Sequence, residues 1–232
     1  MRLDKFIAHA TPYSRSEVRQ LLRAGRIAVD GVAVRDAGLA LGPSSRVTLD
    51  GAAVAPRAPR YLMLNKPAGV VCATTDGLHR TVLDLLRGED RDGLHVAGRL
   101  DADTTGLVLL TDDGQWSHRV KAPGGHEKRY RVRTARPIAA DTADRFAGGL
   151  ALRGEEDRPT RPARLQLLGE REALVWLREG RYHQVRRMFA AVGNHVEALH
   201  REAVAGIELD PALAPGEWRA LTAAEIACAA VP

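Results

Sequence analysis

Cysteine is scarce in this chain of 232 residues: Cys72 and Cys228 stand far apart, with no C-x-x-C and no Cys/His ligand spacing. That excludes a structural zinc site and a disulfide scaffold, and leaves two free thiols as the expectation. Aromatic residues make up only 4% of the chain, too few for a protein that stacks many bases along a single strand. No apolar run approaches the ~18–20 residues needed to span a bilayer. The opening MRLDKFIAHA is charged at once and lacks a secretory apolar stretch, so a cytoplasmic, membrane-free protein is expected. What is present is ordinary globular composition, 45% apolar and 27% charged, with length for one or two domains.

The net charge of +5 is unevenly placed. Residues 1–57 hold nine Lys/Arg and five Asp/Glu, while the other 175 residues are nearly balanced. A small basic head on a near-neutral body points to an anionic partner, most simply a nucleic acid. The head reads as two helices and a hairpin. Leu3, Phe6 and Ile7 share one helical face, and Ser14 with Glu17 forms a capping box ahead of Val18, Leu21 and Leu22. Asp30-Gly31 between two Val-rich triplets signals a tight turn. Arg15, Arg19 and Arg23 recur every four residues, with Arg26 just beyond, so they share a helix face that is either solvated or set against phosphates. A Pro- and Ala-rich segment from Asp50 to Pro59 reads as a linker, dividing the chain into domains 1–57 and 58–232.

The second domain alternates strands and helices. Strands are expected over 61–64, 70–73, 107–110, 128–133, 165–168, 173–177, 196–199 and 207–209. Helices are expected over 82–86, 115–121, 141–146 and 183–192, with a short final helix capped by Thr222 and Glu225. Turn signals join several strands directly, so the fold class is α+β with a mixed, mainly antiparallel sheet.

Three segments concentrate polar chemistry. The loop Gly98-Arg99-Leu100-Asp101-Ala102-Asp103-Thr104-Thr105-Gly106 carries two acids, an arginine and two hydroxyls into an apolar strand. It suits a catalytic loop or a turn that satisfies itself locally. A metal-dependent phosphotransferase motif of the D-x-D-x-T kind would follow an apolar strand directly, and Gly98-Arg99-Leu100 intervenes here. From Arg119 to Arg136 there are seven Lys/Arg against one acid, and alternation sets Lys128, Tyr130 and Val132 opposite Arg129, Arg131 and Arg133. Tyr130 is then a half-buried aromatic or a platform for a base. The third segment, Glu179-Gly180-Arg181-Tyr182-His183-Gln184-Val185-Arg186-Arg187, opens a helix with three arginines, a candidate anion-binding corner.

Together these segments resemble two families. Residues 1–31 resemble the S4 RNA-binding domain. The motifs Asn65-Lys-Pro-x-Gly69, Gly98-Arg-Leu-Asp-x-Asp-Thr-Thr-Gly106, Glu127-Lys-x-Tyr130 and Glu179-Gly-Arg-Tyr-His-Gln-Val-Arg-Arg-Met-Phe189 resemble, in order, the ribosomal small-subunit pseudouridine synthases. Tyr182-His183-Gln184 and Gly193-Asn194-His195 look more like the 16S-directed members than the 23S-directed ones. The resemblance implies isomerisation of a uridine in 16S rRNA to pseudouridine, free or in an assembling small subunit, by a protein expected to be monomeric. The rivals it leaves are a 23S-directed synthase and a non-catalytic ribosome-assembly protein. By the same resemblance Asp101 is the nucleophile and Tyr130 packs on the flipped base. Arg186 is favoured over Arg187 to pair with Asp101. Arg99, Asp103, Thr104, Arg181 and Arg187 contact or support the substrate, and Arg2, Lys5, Arg15, Arg19, Arg23 and Arg26 bind RNA through the head. Isomerisation conserves every atom, so no cofactor and no metal is expected.

Overall fold

The computed structural model describes residues 1–55, 57–88, 91–122 and 125–229. It separates into two compact units, Met1–Pro59 and Arg60–Pro232.

In the first unit, α1 (Leu3–Ala10) and α2 (Arg15–Arg23) pack on a four-stranded sheet of β1 (Ile27–Val29), β2 (Val32–Ala33), β3 (Val47–Leu49) and β4 (Ala52–Ala53), in the order β2-β1-β3-β4. Leu3, Ile7, Val18, Leu21, Leu22, Ile27, Val29 and Val47 form its core. The capping box closes as expected: Glu17 N–H donates to Ser14 Oγ and Ser14 N–H donates to Glu17 Oε2. Asp30 and Gly31 take φ of 52° and 83°, the paired positive values of a type I′ hairpin. Asp50 and Gly51 do the same, at 51° and 80°. The segment read as the start of a linker is therefore a second hairpin, β3–β4, and the linker begins after it.

In the second unit, β5 (Tyr61–Lys66), β6 (His95–Val96), β7 (Thr105–Thr111), α3 (Gly114–Lys121), β8 (Lys128–Thr134), α4 (Thr142–Gly148), β9 (Arg164–Gly169) and β10 (Glu172–Leu177) follow in turn. Then come α5 (Gln184–Ala191), β11 (Val196–Val204), β12 (Ile207–Glu208), β13 (Trp218–Ala220) and α6 (Ala223–Cys228). The strands form one sheet in the order β13-β5-β7-β11-β8-β10-β9, with β12 beside β11 and β6 beside β7. Every pairing in it is antiparallel except β7 with β11. Strand β7 is apolar on both sides because both faces are covered: Val108 and Leu110 join one core, Leu107 and Leu109 the other. Among the described residues no helix is long and apolar enough to cross a membrane.

Three local expectations change. Residues 70–73 form only an isolated bridge, Val71 to Thr81, and 82–86 tightens to a single 3-10 turn at Leu83–Leu85. The edge strand Trp218–Ala220 was not foreseen, because three residues carry no periodicity to read.

Candidate active site

The parallel pair β7–β11 and the end of β5 frame the loop that carries Asp101. Two buried cations hold this loop by its carbonyls. Lys66, at the end of β5 and wholly buried, directs its ammonium to the carbonyl oxygens of Pro67 (2.9 Å), Ala102 (2.9 Å) and Thr104 (2.8 Å). All three of its donors are thereby used. Arg201, on β11 and equally buried, reaches the carbonyls of Leu107 (2.8 Å), Gly98 (2.9 Å) and Arg99 (3.4 Å). Gly69 N–H donates to Ala102 O and Thr104 N–H to Asp101 O, closing the turn. Burial pushes the Lys66 pKa down, while Cys72, Asp103 and Asp101 pull it back. The loop is thus fixed from behind by backbone contacts, and the Asp101 carboxylate takes no part in them.

The side chains that face the two acids come from the start of α5. His183 caps that helix in the left-handed region (φ 48°), and its Nε2 lies 3.4 Å from Asp101 Oδ1. One turn on, Arg186 Nη2 donates to Asp103 Oδ2 (2.7 Å) and Nη1 to Val196 O (2.9 Å). The expected pairing of Arg186 with Asp101 is corrected accordingly: the arginine engages Asp103, and a histidine stands by Asp101. Arg186 Nε is buried with no hydrogen-bond partner among the described residues, an unspent donor.

Arg181 and Arg187 are engaged elsewhere. Both bind Glu155, at 3.0 and 2.6 Å, and both hold carbonyls of the 153–159 segment. They fasten that segment to α5 instead of presenting donors to a ligand. Thr104 is also out of reach, buried with its hydroxyl unpaired among the described residues. Arg99, in contrast, is exposed and makes no side-chain hydrogen bond or ion pair among the described residues.

Strand β8 shows the expected alternation: Tyr130 and Val132 are buried, Arg131 and Arg133 exposed. The arginines of the opposite face are paired across strands, Arg129 and Arg131 sharing Glu202 and Arg133 meeting Glu197, so this face is a salt-bridge lattice, not a free basic patch. Tyr130 lies opposite Arg201 in the strand register, which brings it beside the residue that holds Gly98 and Arg99. Lys128 shares that face and has no hydrogen-bond or ion-pair partner among the described residues. Burial, with the Arg201 charge nearby, lowers its pKa from 10.5 to about 8, against a smaller pull from Glu179.

The Lys128 shift has a measurable sign. A lysine whose folded pKa lies below its unfolded value destabilises the fold while both states are protonated, and the cost disappears as pH rises through the interval between them. Unfolding stability should rise between about pH 8 and 10.5, by at most about 3 kcal/mol for this residue. Lys128→Met should be more stable than wild type at pH 7 and lack that rise. Chemical denaturation across pH checks it; a variant whose curve stays parallel to wild type would contradict it.

In the first unit, two of the basic residues assigned to RNA are already paired. Arg26 forms a two-pronged contact with Asp50, and Arg2 with the buried Asp4. Lys5, Arg15, Arg19 and Arg23 are exposed, and their side chains have no such partners among the described residues.

Lys66, His183 and Arg201 are the residues that motif reading left without a role. Lys66 lay within a quoted motif. Arg201 had a signal: it occupies a core-facing position of β11, in step with Leu199, where an apolar residue is the norm. His183 also lay within a quoted motif, but its approach to Asp101 depends on a left-handed backbone that the motif does not record.

The comparisons with known proteins follow the same division. The S4 domain matches residues 1–47, and the family described as RNA pseudouridylate synthase matches residues 60–191. "Ribosomal small subunit pseudouridine synthase A" of Escherichia coli (strain K12) is 53% identical over 229 residues, covering 98% of this chain and 99% of that protein. Its Vibrio cholerae counterpart is 50% identical over 98% of each. A solved structure described as a pseudouridylate synthase is 41% identical, covers 99% of both chains and superposes with a TM-score of 0.72. With that fold, those motifs in order and that near-complete likeness, the chain belongs to the RNA pseudouridine synthase family and is an RNA-modifying isomerase with an S4 domain.

Proposed function

We propose that this enzyme converts a uridine of the small-subunit, 16S, ribosomal RNA to pseudouridine, with Asp101 as the nucleophile. The observation that carries the mechanism is the Asp101 carboxylate itself, one-third exposed on a loop fastened from behind by Lys66 and Arg201. A nucleophilic carboxylate must be held still and left open to its substrate, and cations anchored to the loop's carbonyls hold it without occupying it. Attack labilises the bond between N1 of uracil and C1′ of ribose. The ring turns, C5 bonds to C1′, the bond to Asp101 breaks and frees the carboxylate, C5 loses its proton and N1 gains one, so the product is an isomer of the substrate.

The target base must leave its stack first, which costs a few kcal/mol that other RNA contacts must offset. Arg99, exposed and with no partner among the described residues two positions before Asp101, is suited to hold the displaced nucleotide. Tyr130 supplies an aromatic surface beside Arg201. Residues 1–57 act as a tethered RNA anchor that raises the local substrate concentration for residues 58–232. The likeness to small-subunit synthases over nearly the whole chain supports the choice of rRNA. Incubating the protein with unmodified 16S and 23S rRNA and mapping pseudouridine in each tests that choice. Product confined to 16S is expected; product confined to 23S would redirect the assignment, and none in either would remove it.

The anchor has its own test. Replacing Arg15, Arg19 and Arg23 with alanine should flatten the slope of log affinity against log salt by about 2–3, because each lost phosphate contact releases roughly one counterion fewer. An unchanged slope would take the α2 face out of the interface.

A further inference from the structure

Tyr182 is 76% exposed, a large aromatic left in solvent by a chain that has few aromatics. Its ring lies on the imidazole of His183, with centroids 3.8 Å apart and planes 17° from parallel. The same His183 is 3.4 Å from Asp101 and takes a left-handed backbone, a conformation that residues with a side chain rarely adopt. An exposed ring, a near-parallel stack and a strained residue thus coincide at the edge of the Asp101 loop. Core packing explains none of the three, for Val185, Met188 and Phe189 provide the buried face of α5.

We propose that Tyr182, backed by His183, is a stacking platform for an unpaired nucleobase next to the target uridine. The inference rests on the reading of Asp101 as the reactive centre. Once the uridine is displaced toward Asp101, its neighbour in the RNA loses a stacking partner on one side. A flat aromatic face beside the same carboxylate can replace that partner. Base-on-aromatic stacking suits every base, so the platform contributes affinity and position more than sequence choice. The unpaired guanidinium of Arg99 gives the same edge a positive charge for the adjoining phosphate. The role is one of positioning: His183 carries the platform to the loop, and Tyr182 holds the strand.

The test uses the full-length protein and a 16S rRNA fragment that contains the modified uridine, in intact form and with single abasic nucleotides placed along it. Equilibrium binding and single-turnover conversion are measured for wild type, Tyr182→Ala and Tyr182→Phe. Tyr182→Ala should weaken binding of the intact fragment by roughly 5- to 150-fold, the range for losing one aromatic–base stack. The loss should fall on half-saturation rather than on the rate at saturation, and Tyr182→Phe, which keeps the ring, should restore it. One abasic position adjoining the uridine should weaken wild type to a similar extent and Tyr182→Ala no further. Unchanged binding by Tyr182→Ala, or full sensitivity of that variant to every abasic position, would overturn the platform. Binding to assembled small-subunit particles is measured alongside; a loss by Tyr182→Ala confined to the particles would mean that the ring meets a protein, and would overturn the platform too. The binding arm does not require turnover. A wild type that binds with the predicted coupling yet makes no pseudouridine would therefore count against the role of Asp101, not against the platform.

Discussion

Asp101→Asn is expected to fold, bind RNA with near wild-type affinity and form pseudouridine at least about 10⁴-fold more slowly, the scale on which removal of a covalent nucleophile is felt. The variant should fold because nothing structural depends on the carboxylate. The loop is tied by the Asp101 carbonyl to Thr104 N–H, by Lys66 to Ala102 and Thr104, and by Arg201 to Gly98 and Arg99. Among the described residues the side chain itself meets only His183, at 3.4 Å and partly in solvent, a contact worth roughly 1 kcal/mol or less. Asparagine matches the shape and removes the charge. Measuring unfolding, binding and single-turnover rate on the one preparation separates chemistry from folding; a variant that loses activity by unfolding, or keeps it, would contradict the assignment.

Gly106→Ala should have the largest effect on stability. Gly106 sits at φ 101°, and a Cβ there would lie 2.3 Å from the carbonyl oxygen of Arg201 and 2.8 Å from its nitrogen. Both are backbone atoms of the neighbouring parallel strand, so no side-chain rotation relieves the clash. Accommodation means prying β11 from β7 where Arg201 pairs with Gly106, and that displaces the guanidinium holding Gly98 and Arg99. A cost of about 4 kcal/mol or more is expected, in the range reserved for backbone strain and broken buried networks. Urea unfolding followed by tryptophan emission reads it directly, because Trp116, Trp176 and Trp218 all lie in the second unit. A midpoint close to wild type would show that the β7–β11 contact is more pliant than its geometry.

What the sequence disclosed follows a physical division between local and distant contacts. The Asp30-Gly31 turn, the Ser14–Glu17 cap and the in–out alternation of β8 are set within a few residues, and all three were legible. Asp101 and Arg99 stood out because an irregular polar loop interrupts apolar strands. Partners were another matter. Arg186 reaches Asp103 across 83 positions of chain, and Arg201 reaches Gly98 across 103. Nothing in spacing distinguishes an arginine that meets substrate from one that fastens a loop. Arg181 and Arg187 therefore passed for an anion site until their donors were seen on Glu155 and the 153–159 carbonyls. His183 was hidden for a related reason: one residue in a left-handed conformation redirects its ring, and no pattern of hydrophobicity records that.

The proposed function gives the isomerisation of small-subunit rRNA to one carboxylate, Asp101. Chemical mapping of pseudouridine along unmodified 16S rRNA, after parallel incubation with wild type and Asp101→Asn, tests it most directly. A defined site of pseudouridine with wild type and none with the variant is expected. No pseudouridine with wild type, or the same site filled at the same rate by Asp101→Asn, would contradict it.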